Sequence, residues 1–384
     1  MGRPQGNKKG KETSFGRAKP NNSNSNNTKK APAKKDVPKE EPAPPPPRVD
    51  DETRKQQQGL INIFRNTFSD ILSSSSFAST LQSVKQALFD RDFARAFGTE
   101  EYLQVYAARY SPTRAVCYAS ILAGISDHLE PVSCAAPQLP TPAPDSDPEA
   151  GPTSPPRTLR VLSVGGGAAE VVAFGAYLAQ LPPSPAVHGA VTLLDSAAWG
   201  LIVASLTTSL TSTPPPPKNA TTSTTQPTDA PLVDPKLFSS AFSQQDVLAL
   251  DDKTFPPLLG DTPLLITLLF TLNELFTTAG IGKTTKFLLN LTSVVPIGSL
   301  LLVVDSPGSY SETTLGKEAK RYPMQWLLDR IILGTQREPI AGRKWTKLES
   351  QDSTWFRLAD SLSFPIPLEN MRYQMHLYRA EDAE

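Results

Sequence analysis

Val161-Leu162-Ser163-Val164-Gly165-Gly166-Gly167-Ala168-Ala169-Glu170 is an apolar, partly β-branched run that ends in three consecutive glycines. Its first half suits a strand, because β-branched side chains pack well on a pleated surface. Ala168 to Leu178 then reads as a helix. Glycine lets the chain turn sharply between the two and lets another group approach the backbone. Strand, glycine turn and helix in this order form the opening unit of an α/β sheet.

The text downstream repeats the alternation. Ala190 to Leu194 is a second strand, closed by Asp195, and Ala197 to Leu210 is helical. A weak strand at 238–242 and a strong one at Leu264 to Phe270 follow. A helix is predicted over 272–290, a strand over Gly298 to Val304 closed by Asp305, and a helix over Tyr322 to Leu333. Arg372 to Tyr378 alternates like an edge strand. The expected fold class is therefore α/β, a mostly parallel Rossmann-like sheet covered on both faces.

Upstream lies a helical region. Leu60, Phe64, Phe68 and Leu72 recur every fourth residue, and Leu81, Val84 and Leu88 continue the stripe. Ser111-Pro112 reads as a cap followed by proline at a first helical position. Three segments lack the apolar content that would offset their ordering entropy. The expected organisation is a disordered basic tail at 1–57, a helical region at 58–134, a disordered linker at 135–157, and the α/β domain at 158–384 with a disordered insertion at 212–235.

Charge is balanced at 38 basic against 38 acidic residues, but residues 1–35 hold ten Lys or Arg and one acid, Glu12. Such an arm suits a polyanion or serves as a nuclear or nucleolar address. It also reads as a merely solubilising tail. Two cysteines make neither a disulfide framework nor a zinc site, and His128, His188 and His376 are scattered, so no metal is expected. The apolar run Leu264 to Phe270 is too short to cross a bilayer, and no apolar stretch follows the amino terminus as in a secretory signal. No membrane partner is expected.

Ligands in open α/β sheets sit at the carboxyl ends of the strands, so those positions carry the candidates. Gly165, Gly166 and Gly167 stand after the first strand, and they equally suit a plain tight turn. Asp195, with Ser196, stands after the second, where an acid can accept hydrogen bonds from both ribose hydroxyls of a nucleoside. The same pair also suits a helix cap. A dinucleotide fingerprint would need glycine or alanine where Glu170 stands, and Glu170 would repel a pyrophosphate at the helix N-terminus. S-adenosylmethionine carries no phosphate and has an amine that an acid can bind, so it is favoured over NAD. Asp246 and Val247 are placed to read an adenine edge, or to cap a helix. After the fourth strand, Asn273 can hydrogen-bond a base edge and Glu274 can take a proton, with a strand-to-helix cap as the alternative. Gly282-Lys283-Thr284 looks like the end of a P-loop, but position 277 is Thr where that motif needs Gly, and the stretch falls within a helical pattern. Tyr102, Tyr106, Arg109, Tyr110 and Arg114 mix aromatic and basic groups as nucleic-acid faces do, or simply pack a helix on the sheet edge.

Taken together, Tyr106 to Ala115 (YAARYSPTRA), Val161 to Gly167, Leu268 to Leu275 (LLFTLNEL) and Val303 to Gly308 (VVDSPG) resemble the fungal methyltransferases that modify N(3) of a uridine in 25S ribosomal RNA. The resemblance covers residues 58–380 apart from the insertions. It implies a class I methyltransferase fold, S-adenosylmethionine as cofactor, large-subunit ribosomal RNA in a pre-ribosomal particle as partner, and a nucleolar location. For such a reaction Glu274 would remove the N(3) proton and Asn273 would orient the base edge. The alternatives are a catalytically silent ribosome-assembly factor on the same fold and a methyltransferase acting on protein or small molecules.

Overall fold

The computed structural model describes residues 49–135, 157–213, 230–251, 253–308, 310–315, 318–334 and 340–383. Most of the basic tail, most of the linker and most of the 212–235 insertion lie outside the described residues. In chain order the helices are α1 (Asp51–Thr67), α2 (Ser69–Ser73), α3 (Phe77–Phe89), α4 (Phe93–Ala96), α5 (Glu100–Gly124), α6 (Ser126–Leu129), α7 (Ala168–Leu178), α8 (Gly200–Thr211), α9 (Pro256–Leu259), α10 (Leu272–Glu274), α11 (Ile281–Val294) and α12 (Met324–Ile332). The strands are β1 (Cys134–Ala135), β2 (Arg157–Val164), β3 (Val187–Asp195), β4 (Phe238–Gln244), β5 (Leu265–Leu269), β6 (Leu300–Asp305), β7 (Tyr310–Leu315), β8 (Glu318–Pro323), β9 (Arg343–Phe356) and β10 (Met371–Asp382).

The main sheet runs β4-β3-β2-β5-β6-β10-β9, with β1 attached to β2. The five strands β4 to β6 on that path are mutually parallel, whereas β10 is antiparallel to both β6 and β9. Side chains alternate between two cores. Leu159 and Val161 face the core shared with α1, α3, α5, α7 and α8, while Leu162 and Val164 face the core shared with α11 and α12. Every residue of β5 and β6 is buried. Each fully buried Leu or Val there contributes roughly 1.5–3 kcal/mol. Two hydroxyls inside this apolar sheet satisfy each other, Thr267 Oγ1 donating to Ser163 Oγ at 2.9 Å.

Four sequence expectations change. First, the helical region begins at Asp51, inside the segment assigned to the tail, because Asp50 caps α1 by accepting from the Thr53 N–H at 2.8 Å. Second, no helix starts at Ser111-Pro112. Helix α5 is continuous, capped by Thr99, with Pro112 inside it. Proline removes one i→i−4 hydrogen bond, but apolar residues surround this stretch, and burial against α7 keeps the helix running.

Third, the helix expected over 272–290 breaks. α10 passes into a π turn over Leu275–Ala279, and Gly280 at φ +88° restarts the chain as α11. Gly282 and Lys283 therefore sit in the first turn of a new helix rather than in mid-helix. Fourth, the edge strand is β9. Residues 373–378 of β10 are buried, because β10 lies between two partners. β9 is charged and largely exposed, as edge strands commonly are, and lacks the apolar run that would reveal it in the sequence.

Candidate active site

The parallel strands deliver their carboxyl ends to one cleft of about 710 Å³. Gly165, Asp195, Ser196, Asp246, Val247 and Glu274 all line it. A chamber of about 70 Å³ adjoins it and shares Gly165, Asp195, Thr271, Glu274 and Phe97 with the cleft. Gly167 and Glu170 line this chamber. Gly166 and Asn273 line neither.

The three glycines are packed against protein groups. Gly165 has φ +70°, and a Cβ there would lie 2.3 Å from Thr271 Oγ1. At Gly166 it would meet Ser163 Oγ at 2.4 Å, and at Gly167 the Trp199 ring at 2.9 Å. The turn thus holds β2, β5 and α8 close together around the cleft.

Glu170 sits at the third position of α7 and folds back, so that Oε2 accepts the Gly167 N–H at 2.8 Å. Asp195 Oδ1 accepts the Ala197 N–H at 2.7 Å, in a turn that precedes α8. Asp246 Oδ1 accepts the Leu248 N–H at 2.9 Å and caps the short turn Val247–Ala249, while also lining the cleft. The Asn273 N–H donates to Asp305 Oδ2 at 3.0 Å, and the Asn273 side-chain oxygen is buried without a partner.

The acids facing the cleft are held more weakly acidic than usual. Burial pushes Glu274 up to about 7, and the neighbouring Asp195 adds to the effect while Arg114 opposes it. Burial likewise pushes Asp195 up to about 6, against the Ala197 hydrogen bond. Glu170 is raised for the same reason, with Gly167 opposing. Two acids near neutrality beside one cleft favour a cationic ligand, since like charges raise each other's pKa and an added positive charge relieves both.

Several residues of the site escaped the sequence reading. Phe97, Trp199, Phe270 and Thr271 line the chamber, and Lys283 and Lys286 line the outer cleft. Tyr106 and Arg114, grouped in the sequence with a nucleic-acid face, instead point into the chamber. The Arg114 guanidinium donates to Tyr106 Oη and lies 5.1 Å from the centre of the Phe270 ring. Arg109 is buried and paired with Glu369. No spacing rule pairs α5 with the strand ends; only the twenty-five-residue length of α5, had Pro112 not been read as a start, pointed that way.

Among the described residues no group of three potential ligands could hold a metal, and no helix is long and apolar enough to cross a membrane.

The sheet order, with one antiparallel strand inserted beside the parallel set, and the acid-lined cleft define a class I methyltransferase. The chain belongs to the family described as "Putative SAM-dependent methyltransferase", whose profile matches residues 64–379. It is 29% identical over 345 residues, 84% of this chain and 85% of the relative, to the 25S rRNA (uridine(2843)-N(3))-methyltransferase of Saccharomyces cerevisiae. Among solved structures it is similar to a SAM-dependent methyltransferase of Methanosarcina mazei (7% identity, 59% of this chain and 93% of that one, TM-score 0.32). It is also similar to the N-methyltransferase NodS of Bradyrhizobium japonicum in complex with S-adenosylhomocysteine (11% identity, 59% and 79%, TM-score 0.30).

The cofactor is S-adenosylmethionine, and the residues present fit it. The Asp195 carboxylate lines the cleft and can receive ribose hydroxyls beside the backbone amides it already accepts from. Val247, Leu248 and Leu275 offer apolar walls for a purine, and the weakly acidic Asp195 and Glu274 suit a sulfonium cation.

Proposed function

We propose that the chain methylates N(3) of a uridine in large-subunit ribosomal RNA, within a pre-ribosomal particle in the nucleolus. The observation that carries this reading is Glu274, a half-buried carboxyl at the junction of cleft and chamber, with its pKa raised to about 7. N(3) of neutral uracil carries a proton that must leave before the nitrogen pair can bond to carbon. A carboxylate with a pKa near 7 is suited to take it at physiological pH. The N(3)–H bond breaks, the proton goes to Glu274, and the electron pair stays on N(3). Bound in the cleft, the cofactor supplies an electrophilic methyl group.

Asn273 lines neither space, but its buried amide oxygen has no partner among the described residues, which makes it the second candidate for the base edge once the uridine enters. Gly165, Gly167, Glu170, Asp195, Ser196, Asp246 and Val247 hold the cofactor, with Gly166 shaping the turn. N(3) lies on the pairing edge, so the uridine must be unpaired or extruded. The named activity of the yeast relative, over most of both chains, supports this substrate. The ten Lys or Arg in residues 1–35 support a polyanionic partner and a nucleolar address.

The test is mass mapping of large-subunit ribosomal RNA nucleosides from cells with and without the protein. One uridine should lose its N(3)-methyl group in its absence. An unchanged modification pattern overturns the reading.

A further inference from the structure

A second cavity, of about 170 Å³, lies between α5 and the loop joining β9 to β10. Arg109, Tyr110, Arg114, Phe270, Asn370 and Arg372 form most of its wall. It shares Arg114 and Phe270 with the chamber beside the cofactor cleft. We propose that this cavity receives the acceptor nucleotide, a pyrimidine extruded from single-stranded or opened RNA, and that Arg114 touches a carbonyl oxygen of its base. The inference rests on the uridine reading above and adds to it the place of the substrate.

Arg114 is half-buried, and among the described residues it forms no ion pair at contact distance, although Glu170 and Glu274 lie within electrostatic reach. Its partners are Tyr106 Oη and the rings of Tyr106 and Phe270, at 5.5 and 5.1 Å. A guanidinium has five N–H donors, so this one keeps donors for an oxygen acceptor supplied by a ligand. Uracil places a carbonyl on each side of N(3), and both oxygens gain negative charge as the N(3) proton leaves.

Phe270 has φ +59°, a backbone conformation rare for an aromatic residue, and its N–H is held by the Val304 carbonyl at 2.7 Å. That geometry sets its ring between the two cavities. Tyr110 supplies a second ring, with the Arg109 guanidinium 5.2 Å from its centre. Aromatic faces of this kind stack bases regardless of sequence. Asn370 uses its amide oxygen to accept the Leu358 N–H at 2.9 Å, which leaves its NH₂ as a donor. Arg372 is exposed at the rim, where Nε donates to Ser353 Oγ at 2.8 Å and the guanidinium lies 5.7 Å from the centre of the Trp355 ring, and its other N–H groups can meet a phosphate.

Helix α1 anchors the loop between β9 and β10: Gln57 Oε1 accepts the Ala359 N–H at 2.8 Å, and Gln58 Oε1 accepts the Ser363 N–H at 2.7 Å. The cavity itself is enclosed by α5, Phe270 and the segment Glu369 to Arg372.

The test uses the full chain with Tyr110→Ala and Arg372→Ala. Affinity for a large-subunit RNA fragment is measured with S-adenosylhomocysteine present, alongside calorimetric binding of S-adenosylhomocysteine alone and thermal melting. Each variant should melt like wild type, keep cofactor affinity within about twofold, lose about tenfold in RNA affinity and show a KM raised about tenfold. Arg114→Lys should lower kcat, with partial recovery on RNA carrying 5-fluorouridine, whose N(3)–H is more acidic. Wild-type RNA affinity in both rim variants overturns the pocket. A wild-type chain that binds RNA through these residues but methylates no uridine overturns the functional reading instead.

Discussion

Glu170 Oε2 accepts a hydrogen bond from the backbone N–H of Gly167 at 2.8 Å, closing a loop across the first turn of α7. The amide that a cofactor phosphate would use is thus already taken by a carboxylate of the protein. This gives the exclusion of a pyrophosphate a concrete form: the acid does not merely stand near the helix end, it occupies it. The same bond ties the glycine turn to the helix that follows.

Removing that bond should loosen the turn. Glu170→Ala is expected to cost about 1 kcal/mol, the usual worth of a helix cap, whereas Glu170→Gln keeps an acceptor and most of the stability. Urea denaturation of both variants measures this. Equal midpoints for alanine and wild type would show that the bond holds nothing.

Gly165 and Gly280 both have positive φ, but only Gly165 is crowded. A Cβ at Gly165 would lie 2.3 Å from Thr271 Oγ1, while nothing lies within 4 Å of one at Gly280. Gly280→Ala should therefore cost only the backbone penalty of a glycine-favouring conformation, about 1–3 kcal/mol. Gly165→Ala should cost clearly more and also weaken cofactor binding. Thermal melts and S-adenosylhomocysteine titrations of the pair separate the two effects.

Asp195→Ala should weaken S-adenosylhomocysteine binding roughly ten- to a hundredfold, since hydrogen bonds to a charged acceptor contribute about 1.5–3 kcal/mol. Isothermal titration calorimetry provides the number. An unchanged Kd would assign Asp195 to its turn alone, through Ala197.

Glu274→Gln should leave affinity for the neutral S-adenosylhomocysteine nearly intact and lower kcat by about 10²–10⁴, the range for a lost general base. In the wild type the rate should rise with pH through about 7, as Glu274 ionises. A variant that keeps the full rate at every pH would rule out the proton transfer.

Stability without cofactor should fall as pH rises through neutrality. Asp195 and Glu274 are raised to about 6 and about 7 from the ordinary carboxylate range, so the native state binds more protons than the unfolded one between those limits. Their contribution is complete below about pH 4 and is lost as pH climbs through 6 to 7. His376, lowered by burial to about 4, contributes with the opposite sign below about pH 6.5, so the decline should show in urea midpoints above that pH, and Glu274→Gln should flatten it. Over the same interval the cationic S-adenosylmethionine should gain affinity relative to neutral S-adenosylhomocysteine.

Much of the fold was legible because its signal is local. The run before Gly165, the acid after Leu194 and the apolar stretch before Thr271 each mark a buried parallel strand and its ligand end, and these three strand ends do meet in one cleft. Where burial came from distant partners, local reading failed. Pro112 looked like a beginning because nothing nearby in sequence shows that α7 will cover it. Strand β9 carries Lys, Glu, Gln and Asp along an exposed edge and gives no period to read. Asn273 and Glu274 are adjacent in sequence, yet only Glu274 faces the cleft, a division set by the short turn of α10 and by the bond from Asn273 to Asp305.

The sequence by itself determined the alternating α/β order, the glycine turn and the strand-end acids, because hydrophobic period and turn chemistry act between near neighbours. Tertiary structure alone decided that Arg114 and Tyr106, half a chain away from Glu274, share a chamber with it, and that Glu274 is held near neutrality. Burial and charge proximity are properties of the folded assembly, and no spacing along the chain encodes them.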